Sequence, residues 1–177
     1  MRRALTATLT ALALTATGAL TVTTAARAAR WTPVATFTLD ANGTTLPAMQ
    51  VAADWSKGSN VLVRAGSCSG AGCIKLAETD MTRCYSFTSG GMNVLLGCAG
   101  FTLPDGSCGV DVDKYLNSAP EYADARRYTT AHEVGHCLGM RHLADPRALM
   151  YPSTSMAPRI VGPTRTDKAA LNSLYPR

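Results

Sequence analysis

The spacing of hydrophobic residues predicts strands and helices along most of this chain. Residues 34–39 alternate between apolar and polar side chains and are rich in β-formers, so they predict a strand, as do residues 60–64. Between them, residues 46–55 carry apolar side chains at helical spacing behind a proline near their start. This pattern predicts a short amphipathic helix that ends at Trp55.

The middle of the chain is rich in glycine, and its pattern changes towards residue 125. Residues 65–110 predict short strands and turns, with the clearest strand pattern at residues 93–96. Residues 110–113 predict another strand at the end of this region. From about residue 125 to residue 138 the apolar spacing becomes helical again. The sequence therefore predicts several strands followed by a helix that lies late in the chain.

The last part of the chain predicts one more helix. After Pro152 the sequence is rich in turn-forming residues until Thr166 and Asp167, which predict the start of a helix that ends near Tyr175. The whole order is strand, helix, several strands, helix, irregular segment and helix. It predicts an α+β fold with a mixed sheet, in one small domain.

The N-terminal segment predicts export. It begins with two arginines, continues as an apolar, threonine-rich run to about residue 24, and reaches the small-residue tripeptide Ala26-Arg27-Ala28. This pattern predicts a signal peptide over residues 1–28 and a mature domain over residues 29–177. A membrane anchor is the alternative, but the threonines and the small-residue exit favour cleavage. No later stretch is long and apolar enough to span a bilayer, so we expect an extracellular protein without membrane attachment.

The charge pattern gives no sign of a nucleic-acid partner. The 177-residue chain has a formal charge of +5, and removing the segment with Arg2, Arg3 and Arg27 lowers it to +2. The remaining basic residues are scattered, as on an ordinary solvated surface, and only Arg126 and Arg127 are adjacent. We therefore expect no nucleic-acid binding, and a monomer is the default expectation.

The six cysteines agree with export, since an even number in a secreted domain predicts disulfides. Six cysteines allow 15 pairings. Pairing neighbours along the chain gives the bridges Cys68–Cys73, Cys84–Cys98 and Cys108–Cys137. The first would close a glycine-rich loop, the second would bracket a hairpin, and the third would tie a strand to the late helix. A cysteine zinc ribbon is disfavoured because the chain has no C-x-x-C pair.

All three histidines of the chain lie in the late helix or just after it. The helix contains the first two, and the third follows its end. His132 and His136 are four residues apart, so on a helix they share one face, about 6 Å apart along the axis, and can reach one metal ion. His142 would lie out of reach on a continuous helix. Gly139 allows the chain to leave the helix through a left-handed residue, after which His142 can return as a third ligand.

Three histidines around one ion favour a catalytic zinc site. Three neutral imidazoles leave a fourth tetrahedral position for water, and Glu133, rotated by about 100° from His132, suits a base acting on that water. Iron, nickel and cobalt are alternatives that residue types alone leave open. The other interpretation is a helix with ordinary surface histidines. It is disfavoured because every histidine of the chain lies in this one motif.

The motif and the residues after it resemble a known family. The stretch HEVGHCLGMRH, residues 132–142, resembles the H-E-x-x-H-x-x-G-x-x-H signature of the metzincin zinc peptidases. The stretch DPRALMYP, residues 145–152, is similar to the matrixin form of the Met-turn, and the resemblance implies that Met150 lies beneath the metal. Residues 166–175 are similar to the closing helix of matrixins. The small size and the early helix also resemble snapalysins, but their third ligand is typically aspartate, whereas here it is His142.

The resemblance also limits which metals to expect. With no other histidine, the second, structural zinc of animal matrixins has no ligands here, so one catalytic zinc ion is expected. Asp105, Asp111 and Asp113 are candidates for a calcium site, although acids around a glycine-rich turn are more often simply solvated.

The resemblance implies a secreted zinc endopeptidase in which Glu133 is the general base and a protein or peptide substrate lies along an exposed strand edge. Residues 93–96 are the candidate for that edge. Two other functions remain open. A zinc hydrolase acting on a non-peptide amide would share the same chemistry. A non-catalytic zinc-binding module would need a fourth protein ligand, and the sequence offers none.

Overall fold

A five-stranded sheet with two helices packed against it forms the main part of the fold. The computed structural model of the chain describes residues 35–80, 86–88, 91–93, 96–152 and 160–177. The strands are β1 (Ala35–Asp40), β2 (Val61–Ala65), β3 (Cys73–Thr79), β4 (Ser86–Thr88), β5 (Gly91–Asn93), β6 (Gly97–Thr102) and β7 (Cys108–Asp113). The helices are α1 (Ala48–Ser56), α2 (Ala123–Cys137) and α3 (Arg165–Leu174), and two short 3₁₀ turns, Lys114–Asn117 and Pro120–Tyr122, precede α2. The predicted α+β class is confirmed.

The sheet is mixed, with an antiparallel strand at one edge. Its strand order is β2-β1-β3-β7-β6, in which β1, β2, β3 and β7 are parallel and β6 runs antiparallel to β7. Strands β4 and β5 form a separate two-stranded hairpin. Alternate residues of the central strands, such as Leu76, Val110 and Val112, are fully buried beneath the helices. These buried rows form the core that supports α2.

Helix α1 covers residues 48–56 rather than the predicted 46–55, and it packs against α2. Met49, one of the apolar positions in the predicted pattern, is exposed. The helix buries Val51, Ala52 and Trp55, which lie at helical spacing in the sequence. The indole Nε1–H of Trp55 donates to the carbonyl oxygen of Ala131 in α2 at 2.9 Å. A buried tryptophan normally needs such a partner, so this bond fixes the two helices relative to each other.

Helix α2 also agrees with the sequence, apart from its first residues. It begins at Ala123, two residues before the predicted start, and its last residue is Cys137. Val134 and Leu138, which lie on the side away from the histidines, are fully buried in the core. None of the described helices has the length and apolar character needed to cross a membrane.

The start of α3 differs from the prediction. The cap is Thr164 rather than Thr166, and Asp167 is the third helical residue rather than part of the cap. The Asp167 carboxylate accepts the Thr164 N–H at 2.7 Å, and the Thr164 side chain accepts from the Asp167 N–H, which is a capping box. The T-x-x-D spacing is visible in the sequence, so this signal was available.

The strand at the edge of the sheet also lies later than the sequence pattern suggests. Asn93 ends β5, residues 94 and 95 lie outside the described residues, and the edge strand β6 begins at Gly97. Its glycines and small residues lack the alternating apolar pattern that marks a strand. Strand β6 is therefore recognised by its pairing with β7 and not by a pattern in its own sequence.

Two of the three predicted disulfides are present. Cys68–Cys73 closes the loop before β3, and Cys108–Cys137 joins the start of β7 to the last residue of α2. Cys84 lies outside the described residues, so the pairing of Cys84 with Cys98 stays a prediction.

Candidate metal and catalytic centre

The end of α2 turns the chain back sharply. Gly139 has φ +87°, a left-handed conformation that favours glycine. The Gly139 N–H donates to the His136 carbonyl at 2.9 Å, and the Met140 N–H donates to the Gly135 carbonyl at 3.0 Å. These two bonds form a Schellman motif, which ends the helix and reverses the chain. The reversal brings His142 back beside the helical histidines.

The three histidines meet at one point above α2. One ring nitrogen from each of His132, His136 and His142 lies within 4.8 Å of the other two. The Nε2 atoms of His132 and His142 are 3.3 Å apart. Two nitrogens bound to one tetrahedral zinc at its usual bond length are about 3.3–3.4 Å apart. The donor set, and the spacing of this pair of nitrogens, therefore fit a zinc ion.

Backbone carbonyls orient the two helical histidines. The Nδ1 atom of His132 lies 2.7 Å from the Leu149 carbonyl oxygen, and Nδ1 of His136 lies 2.9 Å from that of Met140. With Nδ1–H donating to these carbonyls, the Nε2 lone pair of each ring is free to bind a metal. Burial lowers the pKa of His132 to about 4, so this ring is neutral, as a ligand must be. The sequence did not reveal the two carbonyl partners.

Met150 lies directly beneath the helix that carries the histidines. Its side chain is fully buried, and it packs against Gly135, which lies between His132 and His136 in α2. A side chain at Gly135 would overlap the sulfur of Met150 and come within 2.9 Å of Trp55 Cζ2. The glycine thus lets the helix approach Met150 more closely than any other residue would.

Replacing Gly135 with alanine is expected to destabilise the protein by about 1–3 kcal/mol, because the added methyl group overpacks against Met150 and Trp55. In an unobstructed helix the same change stabilises by about 1 kcal/mol, so the sign is diagnostic. Urea unfolding measures the effect. In a Met150→Ala background the cost should shrink, and a Gly135→Ala variant more stable than wild type would contradict this packing.

Glu133 lies beside the histidines, enclosed between α2 and the edge strand. The residue is 7% exposed, and a Cβ atom placed at Gly97 would lie 2.8 Å from Glu133 Cγ and 3.0 Å from its Oε1. The first residue of β6 therefore lies directly against Glu133. Burial raises the pKa of Glu133 to about 8. A carboxyl in such surroundings is suited to exchanging protons near neutral pH.

The segment around Met150 is held by Asp167, a residue that sequence reasoning took only for a helix start. Its carboxylate is fully buried. It accepts hydrogen bonds from the Leu149 N–H at 2.8 Å and from the Met150 N–H at 2.9 Å. It also accepts from the N–H and the hydroxyl of Thr164. Since the Leu149 carbonyl contacts His132, Asp167 supports the histidine site through the backbone.

The three acids proposed for calcium do not form a cluster. The Lys75 ammonium lies 2.6 Å from the Asp105 carboxylate and lowers its pKa, and Asp113 accepts the Tyr115 N–H at 2.8 Å. Asp111 is buried within β7. Across the described residues, the histidine group is the one set of three or more potential ligands that converge. The possibility of calcium thus gains no support.

The sequence matches the matrixin family model over residues 49–176, so the chain belongs to the matrixin family. This match includes α1, the sheet from β2 onward, the histidine motif and α3. The predicted resemblance to matrixin-type metzincins is thereby confirmed, and membership of the family implies zinc as the metal.

Individual proteins are also similar to this chain. The chain is 33% identical over 88 residues to Metalloendoproteinase 1 of Glycine max; the matched region is 46% of this chain and 28% of that protein. It thus spans less than a third of that relative. The fold is similar to that of myroilysin (TM-score 0.51, 16% identity, 85% of this chain and 97% of the other). It is also similar to archaemetzincin from Methanopyrus kandleri (TM-score 0.50, 17% identity, 80% and 96%).

Proposed function

We propose that the protein is a secreted zinc endopeptidase with one catalytic zinc ion held by His132, His136 and His142. The convergence of the three ring nitrogens beside the enclosed carboxyl of Glu133 carries this proposal. Cys137 is joined to Cys108, so it is no fourth ligand, and the three-histidine set keeps one position open, as in catalytic sites.

In the proposed reaction the chain's own groups hold the metal and move one proton. Zinc, when bound, supplies Lewis-acid activation of a water molecule and of the scissile carbonyl. Glu133 accepts a proton from the attacking water as the oxygen bonds to the carbonyl carbon. It then delivers that proton to the nitrogen of the leaving amine as the C–N bond breaks. The Leu149 and Met140 carbonyls keep the two helical imidazoles in the metal-binding orientation.

Strand β6 is the proposed docking edge for a protein or peptide substrate. It is one of the two edge strands of the described sheet, and its first residue, Gly97, contacts Glu133. An extended peptide that pairs with β6 would run past the histidine site. We therefore replace residues 93–96, the candidate from the sequence, with β6 as the edge that binds substrate.

Secretion rests on the N-terminal pattern and on the disulfides. Cys68–Cys73 and Cys108–Cys137 are bonds of the kind that persist in oxidising, extracellular surroundings. Protein recovered from culture medium should have the mass of residues 29–177 within a few residues at the N-terminus. A full-length mass, or retention in the cell, would contradict the predicted signal peptide.

The same purified protein tests the activity. We expect about one zinc per chain, cleavage of casein, and loss of both on treatment with a chelator, with recovery when zinc is added back. Bound zinc with no cleavage of several unfolded proteins would overturn the endopeptidase proposal and favour a non-peptide amide or a non-catalytic zinc module. A protein without zinc would overturn the site itself.

A further inference from the structure

His142 depends on its loop for its position more than the other two histidines do. His132 and His136 each contact a backbone carbonyl through Nδ1. For His142 the hydrogen-bond contact among the described residues is with the ring of His132, and its side chain is exposed. The backbone of residues 139–150, which joins α2 to Met150, therefore determines where His142 lies.

One end of this loop is fixed near Met150. The N–H of Leu143, the residue after His142, donates to the Met150 carbonyl at 2.9 Å. The N–H of Met150 in turn donates to the buried carboxylate of Asp167, near the start of α3, at 2.9 Å. The chain on the far side of His142 is thus bound to α3.

The other end of the loop is fixed by a tyrosine at the end of the same helix. The hydroxyl of Tyr175 donates to the Leu138 carbonyl at 3.1 Å, and Leu138 is the last residue before the left-handed turn at Gly139. Carbonyls in the last turn of a helix have no partner within the helix, so this one needs a donor from elsewhere. Tyr175 is held in place by an edge-to-face contact with Phe37, with ring centroids 5.9 Å apart. Burial raises the pKa of Tyr175, so its hydroxyl keeps the proton that it donates.

We propose that the Tyr175 hydroxyl is a positioning group for the third metal ligand: it holds the turn after α2 and thereby fixes the nitrogen that His142 presents. Asp167 and Tyr175 are eight residues apart, about 12 Å along α3, and they hold opposite ends of the loop that carries His142. This inference rests on the proposed zinc site and assigns Tyr175 a role in zinc affinity.

The variant Tyr175→Phe tests this role because it removes the hydroxyl and keeps the ring against Phe37. Zinc affinity, measured by competition with a chelator on folded protein, is expected to fall roughly ten-fold, at the lower end of the range for groups that orient metal ligands. Zinc should also dissociate faster. The matched control is Tyr122→Phe, which removes a hydroxyl bonded to Tyr115 near the opposite end of α2 and should leave zinc affinity unchanged.

A double-mutant cycle separates a role through His142 from a general loss of stability. In a His142→Ala background, Tyr175→Phe should cause no further loss of zinc affinity, because the ligand that it positions is gone. The same ten-fold loss in that background, or wild-type affinity in the single variant, would overturn this inference and leave the proposed function intact. Wild-type protein that binds no zinc would overturn both.

Discussion

Replacing Glu133 with glutamine is expected to lower kcat on a casein-derived peptide by about 10²–10⁴-fold, the usual contribution of a general base. Glutamine has almost the same shape and fits the enclosed space between α2 and Gly97, but it cannot accept a proton. Because Glu133 is not one of the three proposed metal ligands, the variant should still bind one zinc per chain. Kinetics and zinc analysis on the same sample check both parts.

The control for this variant is Glu121→Gln, in the exposed 3₁₀ turn before α2. It makes the same carboxyl-to-amide change at a distance from the histidines and should leave kcat unchanged. If Glu133→Gln still hydrolysed peptide at the wild-type rate, another group would have to transfer the proton. Loss of zinc together with activity would instead show that Glu133 supports the metal.

The variant Asp167→Ala is expected to have the largest effect on stability, lowering the free energy of unfolding by about 3–5 kcal/mol. It removes a fully buried carboxylate and leaves the N–H groups of Leu149, Met150 and Thr164 without their acceptor. Zinc affinity should fall as well, by about 10–100-fold, because the Leu149 carbonyl orients His132. Urea unfolding of the metal-free protein and chelator competition measure the two effects separately.

Asp145→Ala provides the comparison, since Asp145 also lies near the Met150 segment but pairs with Arg147 on the surface. Its effect on unfolding should be much smaller than that of Asp167→Ala. Equal effects of the two variants would mean that the buried hydrogen bonds of Asp167 stabilise this segment no more than the surface ion pair of Asp145 does.

Local patterns predicted the parts of the fold that local spacing controls. The apolar spacing around Trp55 located α1, and the spacing of Val134 and Leu138 identified the buried side of α2. The pairing of Cys108 with Cys137 came only from joining neighbouring cysteines along the chain, and the structure contains this bond. For the two helices, residues close in sequence carry the signal.

The parts that were missed depend on contacts between distant residues. Asp167 reaches the N–H groups of Leu149 and Met150, which lie 18 and 17 residues earlier in the sequence, respectively. No local pattern distinguishes such a carboxylate from one that only caps a helix. The sequence did not single out β6 for a related reason, because its place at the sheet edge comes from pairing with β7 and not from its own residues.

The arrangement of α3 has a consequence for the order in which the molecule becomes competent to bind metal. The helix that secures the Met150 segment follows every histidine in the chain, and its carboxylate at Asp167 must dock before that segment has its native support. A nascent chain that has emerged only as far as His142 already contains all three imidazoles but lacks this support. If the proposed zinc site forms, we therefore expect it to reach its full metal affinity only after synthesis has passed α3.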